Sequence, residues 1–158
     1  MIEPLRLSLV VGCSCEAAFR TWTERTGLWW PTDHTATGDA DSVVTFEPFV
    51  GGRVYERTPG GSEVDWGRIV VWEPPRRLAY LWHLRVDRAD ATDVEITFTV
   101  EEGDHCRVEI EHRGWERLGD LGLRRRDANQ EGWAGLLPHF VAACRGPEAS
   151  APEASGPE

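Results

Sequence analysis

Lysine is absent from this chain of 158 residues: all 17 basic residues are arginine. No side-chain amine is therefore available for a Schiff base or for catalysis as an amine. Positive charge is also scarce against 27 acidic residues, and the net charge of −10 makes nucleic acid a poor partner. No apolar run approaches the 18 residues of a membrane span. The opening segment, Met1 to Val11, has only Leu9-Val10-Val11 as an apolar run and lacks the core of a secretory signal. The four cysteines, Cys13, Cys15, Cys106 and Cys144, form one C-x-C pair and two distant singles. That is neither a disulfide framework nor the closely spaced pairing of structural zinc. Reduced, packed thiols in a cytoplasmic protein are expected. The G-x-S-x-G elbow, the P-loop, G-x-G-x-x-G and H-E-x-x-H are all missing. No metal and no cofactor are expected.

What is present is one domain's length, with 41% hydrophobic residues and eight tryptophans. The last 13 residues, 146–158, are a near-repeat of Pro-Glu-Ala-Ser with no bulky apolar residue, which predicts a disordered tail after a domain over 1–145. Removing the tail's three glutamates leaves −7, so the domain itself is anionic. The run Arg124-Arg125-Arg126 is interrupted by Asp120, Asp127 and Glu131, which predicts a solvated helix start rather than a phosphate site.

Leu5, Leu7 and Leu9 alternate with polar residues as in a half-buried strand. Ser14 is placed to cap a helix carrying Ala18, Phe19 and Trp22, with Gly27 as its stop. Strands are predicted over Ser42 to Pro48, Arg53 to Arg57, Glu63 to Trp72, Leu78 to Arg85 and Asp93 to Glu101. A last strand carries Cys106, Val108, Ile110 and His112 inward. Alternation of this kind marks antiparallel strands with one wet face, and Val94, Ile96, Phe98 and Val100 are predicted inward by the same rule. Trp133, Leu136, Leu137, Phe140, Val141 and Cys144 fit one face of a closing helix. Pro138 inside it predicts a bend or a later start. The fold class is thus α+β. A curved antiparallel sheet of six to seven strands wraps a long C-terminal helix, with two short helices after the first strand.

Four stretches resemble one known family. They are Cys15-Glu-Ala-Ala-Phe-Arg-Thr-Trp22 with Leu28-Trp-Trp-Pro31, Phe49-Val-Gly-Gly-Arg-Val-Tyr-Glu56, the run from Trp66 through Trp72-Glu-Pro-Pro75 to Trp82, and Glu111-His-Arg-Gly-Trp115 with Gly132-Trp133 opening the last helix. They resemble the activator-of-Hsp90-ATPase-like branch of the START/Bet v 1 helix-grip (SRPBCC) superfamily. The resemblance implies a cavity between the concave sheet and the last helix. It does not carry Hsp90 activation, which belongs to longer eukaryotic proteins with a further N-terminal domain.

In such a cavity the inward residues are Phe46, Tyr80, Trp82, Phe98, Ile110, His112, Trp115, Trp133, Leu137 and Phe140. An aromatic lining favours a small hydrophobic, aromatic or polycyclic ligand, through burial and offset stacking. The same residues can simply fill a core. Trp82, Trp115 and Trp133 are the tryptophans best placed to touch a ligand. His112 can be a general base or a core histidine bonded to backbone or tryptophan, and the missing carboxylate partner favours the second reading. His34, beside Asp33, lies in a loop at the cavity mouth or in solvent. His83 is predicted outward, with His105 in a turn and His139 exposed. Two alternatives to ligand carriage follow: a polyketide cyclase- or hydrolase-like enzyme using His112 or Tyr80, and a chaperone-associated or other protein-interaction module using exposed Trp29 and Trp30.

Overall fold

A computed structural model describes residues 2–84 and 86–145; the tail from Gly146 lies outside the described residues. Seven strands form one antiparallel sheet in the order β1-β7-β6-β5-β4-β3-β2. They are β1 (Leu5–Val11), β2 (Val43–Phe46), β3 (Arg53–Arg57), β4 (Glu63–Glu73), β5 (Arg77–Trp82), β6 (Thr92–Glu101) and β7 (His105–Arg113). Helices α1 (Cys15–Thr23) and α2 (Thr26–Trp29) follow β1, and α3 (Gly122–Cys144) closes the chain.

Period-two alternation sets the sheet. Leu78 pairs with Ile96, Tyr80 with Val94, and His112 with both Val94 and Leu5, which brings the apolar positions to one concave face. That face closes on α1 and on the stripe Trp133, Leu136, Leu137, Phe140 and Cys144 of α3, all buried. Ser14 caps α1 as its sequence implies, its Oγ accepting from the Ala17 N–H at 3.1 Å.

Several boundaries differ from the sequence expectation. The first helix stops at Thr23, and Gly27 lies inside α2 instead of ending the first. The Thr21, Thr23 and Thr26 hydroxyls each donate to the carbonyl four residues earlier, so tertiary burial overrides weak helix propensity there. Strand β5 ends at Trp82. Its neighbour His83 is turned in and only 8% exposed, contrary to its outward prediction, because the chain leaves the pleat after Trp82 while the His83 N–H still bonds the Trp66 carbonyl at 2.7 Å. Val100, expected inward, is 79% exposed, although its register partner Cys106 on β7 is fully buried.

The last helix begins at Gly122, ten residues before Gly132, and runs through Pro138. Its first half is polar and shows no apolar stripe; Arg126 holds it down, donating to the carbonyls of Glu3 at 2.6 Å and Pro4 at 3.4 Å. Pro138 is tolerated because it lies on the exposed side, where Ala134, whose carbonyl loses its usual donor, is exposed as well. The Pro74–Pro75 peptide, in the turn between β4 and β5, is cis. No helix among the described residues is long and apolar enough to cross a membrane.

Candidate functional site

Three elements meet at one end of the sheet and leave a cleft of about 260 Å³ between them. The loop after α2 contributes Trp30, Asp33 and His34, the end of β5 contributes Trp82 and Leu84, and α3 contributes Arg125, Asn129, Gly132, Trp133 and Leu136. A second hollow of about 30 Å³ adjoins it, sharing Trp82 and Arg125 and adding Trp115.

The loop is held shut on the helix by short contacts. The Trp30 indole N–H donates to the His34 carbonyl at 3.0 Å. His34 Nδ1 lies 2.8 Å from Asp33 Oδ1, and its Nε2 lies 3.2 Å from the Gly132 carbonyl. The His34 contact holds the Asp33 carboxyl below the usual carboxylate range. The imidazole can approach because residue 135 is glycine: a Cβ there would stand 3.3 Å from Nε2. Farther along the loop, the fully buried Glu56 of β3 accepts from the Ala36 N–H at 2.9 Å and from the Thr37 hydroxyl. Burial alone would raise the Glu56 carboxyl, but these bonds outweigh it and hold it low.

Behind the cleft wall runs a polar relay. Trp133 Nε1 donates to His112 Nδ1 at 3.1 Å. An indole can only donate, so Nδ1 is the acceptor and Nε2 carries the proton, donated to Thr92 Oγ1 at 2.7 Å. Trp115 Nε1 donates to the His112 carbonyl at 2.9 Å. With no exposed surface and both ring nitrogens engaged, His112 is pushed down to about 3 by burial. It is a structural link beneath Trp133, the core reading of the sequence, and it has no free edge for a substrate.

Of the other residues expected at a cavity, Trp82 and Trp133 face the cleft and Trp115 the adjoining hollow. Tyr80, Phe98, Ile110 and Phe140 are packed in the core. Phe46 borders a separate surface groove beside α2, and Leu137 another between β1 and α3. Trp29 and Trp30 are 4% and 8% exposed, which corrects their assignment as an exposed pair. Sequence patterning missed Arg125, Asn129 and Gly132 because they lie in the polar half of α3. The only available signal was the glycine pair Gly132 and Gly135, three residues apart on one helical face. Arg125 makes no ion pair among the described residues, so a cation stands at the cleft rim. No group of three or more His, Cys, Asp or Glu among the described residues is placed to hold a metal ion.

Just inside the wall lie three buried polar atoms without a hydrogen bond among the described residues: Trp22 Nε1, Trp66 Nε1 and Tyr80 Oη. Burial pushes the Tyr80 phenol well up; the nearby Trp22 indole opposes this without reaching hydrogen-bond geometry. An unpaired buried hydroxyl costs about 1–3 kcal/mol. Tyr80→Phe is therefore expected to stabilise the ligand-free chain by about 1 kcal/mol in urea unfolding. A loss of similar size would mean that the hydroxyl is bonded.

The model of the family described as "Activator of Hsp90 ATPase homolog 1-like protein" matches residues 13–144. Among solved structures, an anthrahydroquino-gamma-pyrone synthase, Txn09, solved in complex with SUM, is 35% identical with a TM-score of 0.65, over 90% of this chain and 97% of that one. The self-sacrificing resistance protein CalC from Micromonospora echinospora is 26% identical with a TM-score of 0.70, over 94% and 97%. An HSP90 activator from Plasmodium falciparum, 18% identical with a TM-score of 0.51 over 71% and 73%, shares the fold. Comparison with curated proteins finds no match. By the span of the family match and the identity to Txn09, the chain belongs to the Activator of Hsp90 ATPase homolog 1-like family and has its helix-grip fold.

Proposed function

We propose that the protein binds a flat, oxygen-bearing aromatic molecule in the cleft between the β5 end, the loop after α2 and α3. The observation that carries this reading is the wall: Trp30, Trp82 and Trp133 border one cleft whose rim presents Arg125. Its volume of about 260 Å³ lies just under the ~300 Å³ where small-molecule pockets begin, which suits a few fused rings and not a lipid chain. Arg125 suits a phenolate or carboxylate at the ring's edge. The name of Txn09 specifies a fused, oxygen-bearing polycycle, and CalC is described as a resistance protein, in line with binding and sequestration.

The enzyme alternative built on His112 or Tyr80 has no support in the geometry, since both lie behind the wall. The protein-interaction alternative loses the exposed indole pair that motivated it.

Titration with alizarin, a dihydroxyanthraquinone, followed by tryptophan fluorescence tests the reading. Saturable quenching is expected. Trp82→Ala should weaken it about tenfold or more, the size of one lost stacking contact plus its buried area. Arg125→Gln should weaken alizarin but leave unsubstituted anthraquinone unchanged. Absence of saturation up to the dye's solubility, or an unchanged affinity in Trp82→Ala, would sink it.

A further inference from the structure

The four cysteines, scattered from position 13 to position 144 of the sequence, converge at the opposite end of the sheet from β5's Trp82, and all are buried. Cys13 and Cys15 flank the cap of α1, Cys106 stands on β7 opposite Val11, and Cys144 ends α3. They face each other in two pairs. Cys15 Sγ lies 3.0 Å from Cys106 Sγ. Cys13 accepts a hydrogen bond from Cys144, and that contact holds the Cys13 thiol below the ordinary thiol range. No three of these sulfurs surround a point that a metal ion could occupy. The arrangement is thiol against thiol.

We propose that Cys15 and Cys106 form an oxidisable pair, which a hydroperoxide converts to a disulfide that staples the start of α1 to β7. The separation must fall by about 1 Å to reach a sulfur–sulfur bond of ~2.05 Å. Cys15 is the entry point: it is 6% exposed where Cys106 is fully enclosed, and burial pushes the Cys106 thiol well up. In the first step the Cys15 sulfur, as thiolate, attacks one peroxide oxygen. The O–O bond breaks, the distal oxygen leaves as water after taking up the thiol's proton, and Cys15 becomes a sulfenic acid. In the second, the Cys106 sulfur attacks the Cys15 sulfur, and the S–O bond breaks with its oxygen leaving as a second water. Two thiols lose two electrons and two protons, and one hydrogen peroxide becomes two waters. The link would close a loop of 91 residues of chain between one helix and the sheet it packs on.

The test uses the full chain, fully reduced and then exposed to hydrogen peroxide. Expected are a loss of two of the four titratable thiols, a Cys15–Cys106 cross-linked peptide in non-reducing mass spectrometry, and a Tm raised by about 10 °C that a reductant reverses. Cys106→Ser should abolish the link and the Tm gain, whereas Cys13→Ser should keep both. Four thiols still titratable after unfolding, or a link formed through Cys13 or Cys144 instead, would overturn the proposal, and both are read on the unmutated chain. None of these outcomes depends on what the cleft binds.

Discussion

The Gly67→Ala chain is expected to lose about 4 kcal/mol or more of folding stability, a loss reached only by a few kinds of substitution. Gly67 pairs with Trp82 across β4 and β5, and a Cβ at position 67 would stand 2.0 Å from the Leu81 carbonyl oxygen. That oxygen belongs to the main chain of the neighbouring strand, so it cannot rotate aside as a side chain would. Strand β5 would have to retreat by at least 1 Å, breaking ladder bonds on both sides. The close approach arises at an irregularity in β4: Val54 of β3 pairs with Gly67 and Tyr55 with Asp65, so Trp66 is the extra residue. The bulge helps place Trp66 fully inside, against Trp30 and Trp82 at 5.4 and 5.7 Å between ring centroids. Urea unfolding measures the loss. Gly60→Ala is the control, because nothing lies within 4 Å of a Cβ there, and it should shift stability by less than about 0.5 kcal/mol. If Gly67→Ala matched that control, the strand spacing described above would be wrong.

The second large effect is a loss of stability in mild acid, carried mainly by His112. Its folded pKa, about 3, lies below the ~6.5 of an unfolded histidine. The unfolded chain therefore takes up a proton as pH falls through 6.5 while the folded chain does not. Full stability exists above 6.5 and is lost progressively down to about 3. Between pH 7 and pH 5 the loss amounts to about 2 kcal/mol from this residue. His83, also lowered by burial, adds to it in the same direction. The carboxyls of Glu47, Glu56, Glu63 and Glu95 are held low as well, but their unfolded counterparts titrate near ~4.3, below this window. His112→Gln is the informative variant. Its amide can accept from Trp133 and donate to Thr92, yet does not titrate. Urea unfolding at pH 7 and pH 5 should show the wild-type loss reduced by more than half in His112→Gln. An equal loss in both chains would exclude His112 as its source.

What could be read from the sequence follows the physics of each element. Strands with strict alternation, such as Val94 to Phe98 and Cys106 to His112, were readable because one wet face forces a period of two. The Trp133 to Cys144 stripe was readable for the parallel reason at a helical period. The polar half of α3 was readable only as a solvated helix start at Arg124-Arg125-Arg126, since nothing in Arg124 to Glu131 repeats with the core. That half is helical through tertiary anchors such as Arg126 to Glu3, over 100 residues apart in sequence. The cleft inherits this asymmetry. Of its indoles, Trp82 and Trp133 lie on patterned elements and could be singled out in advance, while Trp30, expected to be exposed, and Arg125, Asn129 and Gly132 could not be placed there. His34 illustrates the middle case. Its neighbour Asp33 was visible in the sequence, but the decisive contact with the Gly132 carbonyl depends on a close approach that no local pattern reveals.

Six of the eight indoles lie in one connected chain of ring contacts, from Trp133 to Trp22, Trp29 and Trp30, then to Trp66 and Trp82, with centroids 5.1 to 6.1 Å apart. At such separations an excited indole passes its energy to a neighbour faster than it emits. The six form a single antenna that drains into whichever ring is quenched, and both of its ends, Trp133 and Trp82, open on the cleft. A dark molecule seated there extinguishes rings it never touches, and the emission that survives loses its polarisation inside the protein before the protein itself has tumbled.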